Sequence, residues 1–228
     1  MGKFKLQVNS AKVSGTHSDF PAYVDLSEMP TAFWNTVSNG GGDIRCYSDE
    51  ALTTQLPREV VSCDTSTDTG ELWVKTGLST TTEIYITVDG SSTEPSASST
   101  YGSQNVWNSN YKAVYHMEDA NDSTSNGNNG TVSGATSGAT GKIGDAYDFD
   151  GSNDYISIPD DDSFNFGTGD LCISFWCKKE VSGRGDIFCW KTLNGNDDFG
   201  IFFGADEKLS VYQTINGDSN NKQLRHIG

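Results

Sequence analysis

Apolar and polar positions alternate with a period of two along much of this chain. Phe4, Leu6 and Val8 fall on one face, with Lys3, Lys5 and Gln7 on the other. Val24 and Leu26 alternate with Tyr23 and Asp25, and Ile44 and Cys46 with Asp43 and Arg45. Val60 and Val61 sit in a third apolar run. Leu72 and Val74 oppose Glu71, Trp73 and Lys75, while Ile84, Ile86 and Val88 oppose Glu83, Tyr85 and Thr87. This period predicts half-buried strands. One segment, Glu28 to Val37, has helical spacing instead: Met29, Phe33, Trp34 and Val37 share a face, and Asn39-Gly40-Gly41-Gly42 ends it.

Residues 90–103, GSSTEPSASSTYGS, are nearly devoid of apolar side chains and read as a linker, with residues 91–105 separating two domains. A strand is predicted at Tyr111–Met117, followed by a long polar loop from Glu118 to Gly141 with strand potential only around Val132. Strands resume at Ala146–Phe149, Tyr155–Ile158, Leu171–Cys177, Asp186–Trp190, Phe199–Phe203 and Leu209–Gln213. The predicted fold is all-β: a β-sandwich over residues 1–90, then a sandwich or jelly roll over 106–228.

Composition narrows the function. The chain has 228 residues, with 15 basic and 31 acidic, for a formal net charge of −16. That excludes binding of nucleic acid through phosphate neutralisation and argues against docking on anionic lipid. No apolar run approaches the roughly 20 residues of a membrane span. The start, MGKFKLQVNS, enters a strand pattern directly, so no secretory leader is expected. The five cysteines (Cys46, Cys63, Cys172, Cys177 and Cys189) are odd in number and lack zinc spacing, which predicts buried reduced thiols. A Cys46–Cys63 bridge is compatible with the sequence but not required by it.

Two resemblances follow from longer motifs. FPAYVDLSEMPTAFW (20–34), GGDIRCYSDE (41–50), LPREVVSCD (56–64) and GELWVKTGLSTTTEIYITVDG (70–90) resemble a domain family of unknown function found in bacterial surface proteins and phage structural proteins. The resemblance implies a β-sandwich accessory domain with no known chemistry. AVYHMEDANDSTSNGNNGT (113–131), GKIGDAYDFDGSNDYISIPDDDSF (141–164) and GDLCISFWCKK (169–179) resemble the start of a laminin-G-like, concanavalin A-like jelly roll. The closing strands of that family have no counterpart after Asn216, so the second domain is expected to be incomplete.

Candidate sites are few. Glycosidases of the concanavalin A-like fold place paired carboxylates on one strand face. Glu118-Asp119 and Asp160-Asp161-Asp162 are adjacent residues that alternate across a strand, so no enzymatic activity is expected. Asp122 and Asn128 in the long loop offer hard oxygen ligands for calcium, with Asp148, Asp150 and Asp154 flanking a nearby turn. The plain alternative is turns capped by Asp and Asn side chains. Sugar faces stack on aromatic rings, and sugar hydroxyls need polar neighbours. Trp190 with Asp186, Asn194 and Lys191 is the candidate glycan platform, and Trp107 with Tyr111 a weaker one. Trp176 reads as core.

The leading expectation is a non-enzymatic phage virion protein (a tail appendage, fibre or capsid decoration) assembled in the host cytoplasm. Other virion subunits, further copies of the chain and host-surface polysaccharide are its expected partners. The alternative is a carbohydrate-binding piece of a longer bacterial surface or exported protein. A polysaccharide-degrading enzyme is the least favoured reading.

Overall fold

The computed structural model describes residues 1–165, 170–180, 185–191, 198–204, 208–213 and 224–225. The chain divides into two compact units, Met1–Leu171 and Cys172–Gly228. It is all-β, as the alternation predicts.

The first unit opens with β1 (Gly2–Gln7), β2 (His17–Asp25), a short helix α1 (Thr31–Trp34), β3 (Arg45–Tyr47), β4 (Gln55–Leu56), β5 (Arg58–Asp64), β6 (Thr69–Leu78) and β7 (Glu83–Val88). These strands form two antiparallel sheets, in the orders β1-β7-β3-β4 and β2-β6-β5. Their facing sides enclose one core, which makes this part of the unit a β-sandwich. Ile84, Ile86, Val88 and Cys46 come from one sheet, and Ala22, Leu72, Val74 and Cys63 from the other. Burying a leucine or isoleucine here contributes roughly 1.5–3 kcal/mol each.

The predicted helical stripe is present, although the helix is a single turn. Met29, Phe33, Trp34 and Val37 are all buried, and Phe33 meets Phe4 edge-on at 5.6 Å. Gly41 then takes φ +67 where a Cβ would stand 3.0 Å from Cys63, Ile44 and Val60, so both backbone and space demand glycine. Cys46 and Cys63 are free and buried, and burial pushes the Cys46 thiol up to about 12. Cys172 and Cys177 are free but exposed, contrary to the expectation of buried thiols.

Two buried charges brace the sandwich. Asp43 accepts hydrogen bonds from Ser38 N, Ser38 Oγ, Asp89 N and Gly90 N at 2.6–3.0 Å. Burial alone would raise its pKa, but these donors outweigh that and hold it below the usual carboxylate value. Arg58 is fully buried. It donates to Ile44 O (2.9 Å) and Gly42 O (3.2 Å), and its third arm pairs with Glu94.

That pairing corrects the linker reading of residues 91–105. Thr93 O accepts from Arg45 (2.8 Å), Tyr101 O accepts from Arg58 N (3.2 Å), and Ser96–Asn105 is a series of closed turns. The segment closes its own turns and is tied to the sandwich at Thr93, Glu94 and Tyr101. Val106 follows, fully buried.

The rest of the first unit holds β8 (Thr131–Ser133), β9 (Thr136–Thr140), β10 (Asp145–Asp148) and β11 (Tyr155–Ser157). They pair as two short antiparallel ladders, β9 with β10 and β8 with β11. Tyr111–Met117, predicted as a strand, makes no ladder. Residues 106–171 thus belong to the same compact unit as the sandwich, and the unit boundary falls at 171/172 instead of within residues 91–105.

In the second unit, β12 (Gly185–Lys191), β13 (Asp198–Phe203), β14 (Leu209–Gln213) and β15 (Leu224–Arg225) form one antiparallel sheet in sequence order. Among the described residues the predicted strand Leu171–Cys177 has no ladder partner, and Trp176, read as core, is 72 % exposed.

Candidate functional site: a buried polar seam

The outer face of the β2-β6-β5 sheet carries an unusual row. Tyr23 and Glu59 both sit opposite Trp73 in register, and Glu71 lies on the same face two residues away. Simple alternation assigns these residues to solvent. Instead the chain returns after Val106 and lays Trp107 and His116 across them.

The Trp107 indole N–H donates to Glu59 Oε2 at 2.7 Å, and the Trp73 indole N–H donates to Glu71 Oε1 at 2.7 Å. His116 sits between the two carboxylates. Its Nε2 is 3.3 Å from Glu59 Oε2 and its Nδ1 is 3.2 Å from Glu71 Oε1. With both ring nitrogens against carboxylate oxygens, both must donate, so the geometry requires the imidazolium. The side chains of His116, Glu59 and Glu71 are 10 %, 10 % and 3 % exposed. Burial pulls the His116 pKa down, but the bonds and charges of Glu59 and Glu71 overcome it and raise the pKa to about 9.

Aromatic rings close the site. Tyr23, Trp73, Trp107 and Tyr111 follow one another at centroid separations of 5.2–5.4 Å, and both indoles lie within 5.7 Å of the His116 ring. Met117, next to His116, holds φ +68. For a non-glycine residue that conformation costs roughly 1–2 kcal/mol, so the surrounding bonds must impose it. The cluster binds two parts of the chain to each other, with Glu59, Glu71 and Trp107 buried, His116 nearly so, and Tyr23 39 % exposed at its edge.

The sequence-predicted calcium ligands are brought together, but as a hydrogen-bonded knot. Asp122 Oδ1 accepts from Val114 N (3.0 Å) and Thr124 N (2.9 Å), and Oδ2 from Thr124 Oγ1 (2.8 Å) and Asn128 N (2.9 Å). Asn128 donates to Lys112 O (3.0 Å) and Ser163 Oγ (2.8 Å), and its own carbonyl accepts from the Tyr115 hydroxyl. Four donors saturate the carboxylate, leaving no lone pair directed at a cation. Among the described residues no three His, Cys, Asp or Glu side chains are grouped to hold a metal ion. Asp150 caps Ser152 N (2.8 Å) and Asp154 caps Asp150 N (2.9 Å), as the capped-turn alternative expects. We expect Asp122→Ala to lower stability by about 2–4 kcal/mol, since it strands several buried N–H groups. Millimolar calcium should leave the melting temperature of the intact protein unchanged; scanning calorimetry checks both.

Of the glycan candidates, Trp107 is 7 % exposed and occupied by Glu59, which removes it as a ligand platform. Asp186 and Trp190 lie on β12, opposite Phe202 and Phe199 of β13. Asn194 lies outside the described residues.

No protein-family model matches the chain, and no curated protein does. Among solved structures it is similar to residues 221–444 of an S-layer domain-containing protein from Clostridium thermocellum ATCC 27405, at 22 % identity and a TM-score of 0.42. The similarity covers 51 % of this chain and 57 % of that one. The chain thus spans little more than half of that structure.

Proposed function

We propose that this chain is a non-enzymatic module of a cell-surface or exported protein, in which a stiff N-terminal unit presents a lectin-like β-structure to polysaccharide. The observation that carries this reading is the seam. Glu59, Glu71, His116 and the two tryptophans tie the segment after residue 105 to the sandwich, where composition predicts a loose linker. Such an arrangement suits spacing and presentation, because it fixes the direction in which the following chain leaves the sandwich. His116 is engaged by both Glu59 and Glu71, which fits a non-catalytic role. The lectin-like part of the reading rests on the resemblance of residues 113–179 to laminin-G-like domains. Trp190 and Asp186 on β12, together with Asn194, are the residues it assigns to glycan.

The test combines size measurement of the intact chain by light scattering with binding to an array of bacterial surface polysaccharides, with and without calcium. A monomer retained by at least one polysaccharide, and released by Trp190→Ala, is expected. Ordered multimers that bind none of them would overturn the reading in favour of a virion structural protein.

A further inference from the structure

The seam contains one group that nothing balances. Glu71 uses Oε1 twice, for Trp73 and for His116, while its Oε2 is buried and has no hydrogen-bond partner. That oxygen is aimed at Gly144. A Cβ on Gly144 would stand 2.4 Å from Glu71 Oε2 and 3.1 Å from Glu118 Oε1, so the two carboxyl groups border the same small space, which glycine keeps open. Gly144 has φ +54, which favours glycine independently.

Glu118 is crowded from two other directions. Asp145, at the start of β10, sets its carboxyl beside that of Glu118, and Glu71 approaches from β6. His116⁺ and Glu59 lie on the far side of Glu71, where the imidazolium is already engaged by both carboxylates. Among the ion pairs of the described residues, none brings a lysine or arginine to Glu71, Glu118 or Asp145. Three carboxylates in one half-buried niche, with one buried oxygen lacking a donor, call for a positive or hydrogen-donating species.

We propose that Glu118 takes up a proton in the assembled seam as the solution is acidified, and that the resulting carboxylic acid closes the niche between Glu71 and Asp145, so that acid tightens the attachment of residues 106–145 to the sandwich. The proton comes from solvent and adds to one carboxylate oxygen. The resulting O–H is the donor the niche lacks, and one of the three like charges is removed. Burial, then the Asp145 charge, raises the Glu118 pKa above its ordinary value, against a lowering contribution from the Asp145 backbone amide and with a smaller raising one from Glu71. A raised folded-state pKa stabilises fully below the ordinary value of 4.5 and is lost as pH rises through the folded one.

The experiment pairs carbon-detected NMR titration of the Glu118 carboxyl in the intact protein with urea unfolding of wild type and Glu118→Gln. The amide keeps a donor and cannot ionise. The expected results are a Glu118 midpoint above 4.5 and an E118Q urea midpoint higher than wild type at pH 7, with the difference vanishing at pH 4. A Glu118 midpoint at or below 4.5 would overturn the proposal, as would an E118Q protein less stable than wild type at pH 7. Movement of the Glu118 signal on adding calcium at pH 7 would equally overturn it, because a cation would then fill the niche. Should E118Q fail to fold, the wild-type titration alone decides.

Discussion

Replacing Arg58 with methionine should destabilise the Met1–Leu171 unit by about 3 kcal/mol, whereas Glu94→Gln should cost about 1 kcal/mol or less. Methionine keeps most of the buried volume, so the difference isolates the guanidinium. Without it, the carbonyls of Ile44 and Gly42 each lose one of two charged donors and keep only Arg45, and a hydrogen bond to a charged group is worth about 1.5–3 kcal/mol. Glu94 is 49 % exposed and returns to water when unpaired, so its share is small. The asymmetry separates a buried cation that organises backbone from a surface ion pair. Urea unfolding followed by tryptophan fluorescence measures both variants. Equal losses would mean that the ion pair, and not the carbonyl bonds, is what Arg58 supplies.

The second large effect is pH dependence at His116. Its pKa is raised from about 6.5 to about 9, so the stabilising contribution is fully present below pH 6.5 and is lost as pH rises to 9. A shift of that size corresponds to on the order of 3 kcal/mol. Wild-type stability should therefore fall over this interval with a component that His116→Gln lacks. Nitrogen-15 NMR of the ring reports the same event directly, as a midpoint near 9 instead of 6.5. A midpoint below 7 would contradict the charged arrangement, because a neutral imidazole can donate to only one of its two carboxylates.

These effects arise where local reading of the sequence and the structure part company. Alternation correctly assigned Leu72 and Val74 to the core, because that choice depends only on neighbours two residues apart. It failed for Glu71, which the same pattern turns toward solvent and which is 2 % exposed. The cover comes from His116 and Trp107, whose partners lie 34 to 57 residues away in sequence, beyond any periodic signal. One clue was available: Tyr23 and Trp73 make that face too aromatic for open water.

β9 was illegible for another reason. Thr136–Thr140 is TSGAT, with no bulky apolar side chain, and it pairs with β10 through its backbone alone. Tyr111–Met117 failed in the opposite sense. Its apolar residues suit a strand, but Val114 N is taken by Asp122 and the segment is held by side chains instead of a ladder. The calcium expectation picked out residues that do come together, as the capped-turn alternative also expects. Asp122 and Asn128 do converge, yet the donors that fill them are backbone amides and hydroxyls, which spacing does not reveal.

Within the Met1–Leu171 unit, residues 91–107 join the sandwich firmly to the segment that follows. Native-state hydrogen exchange on the intact protein tests it most directly. The amides of Gly102, Gln104 and Asn105 and the indole N–H of Trp107 should be protected to the same order as the amides of β6, since they open only when the seam does. Exchange of these groups at open-chain rates, while β6 stays protected, would contradict the account and restore the flexible linker that composition suggests.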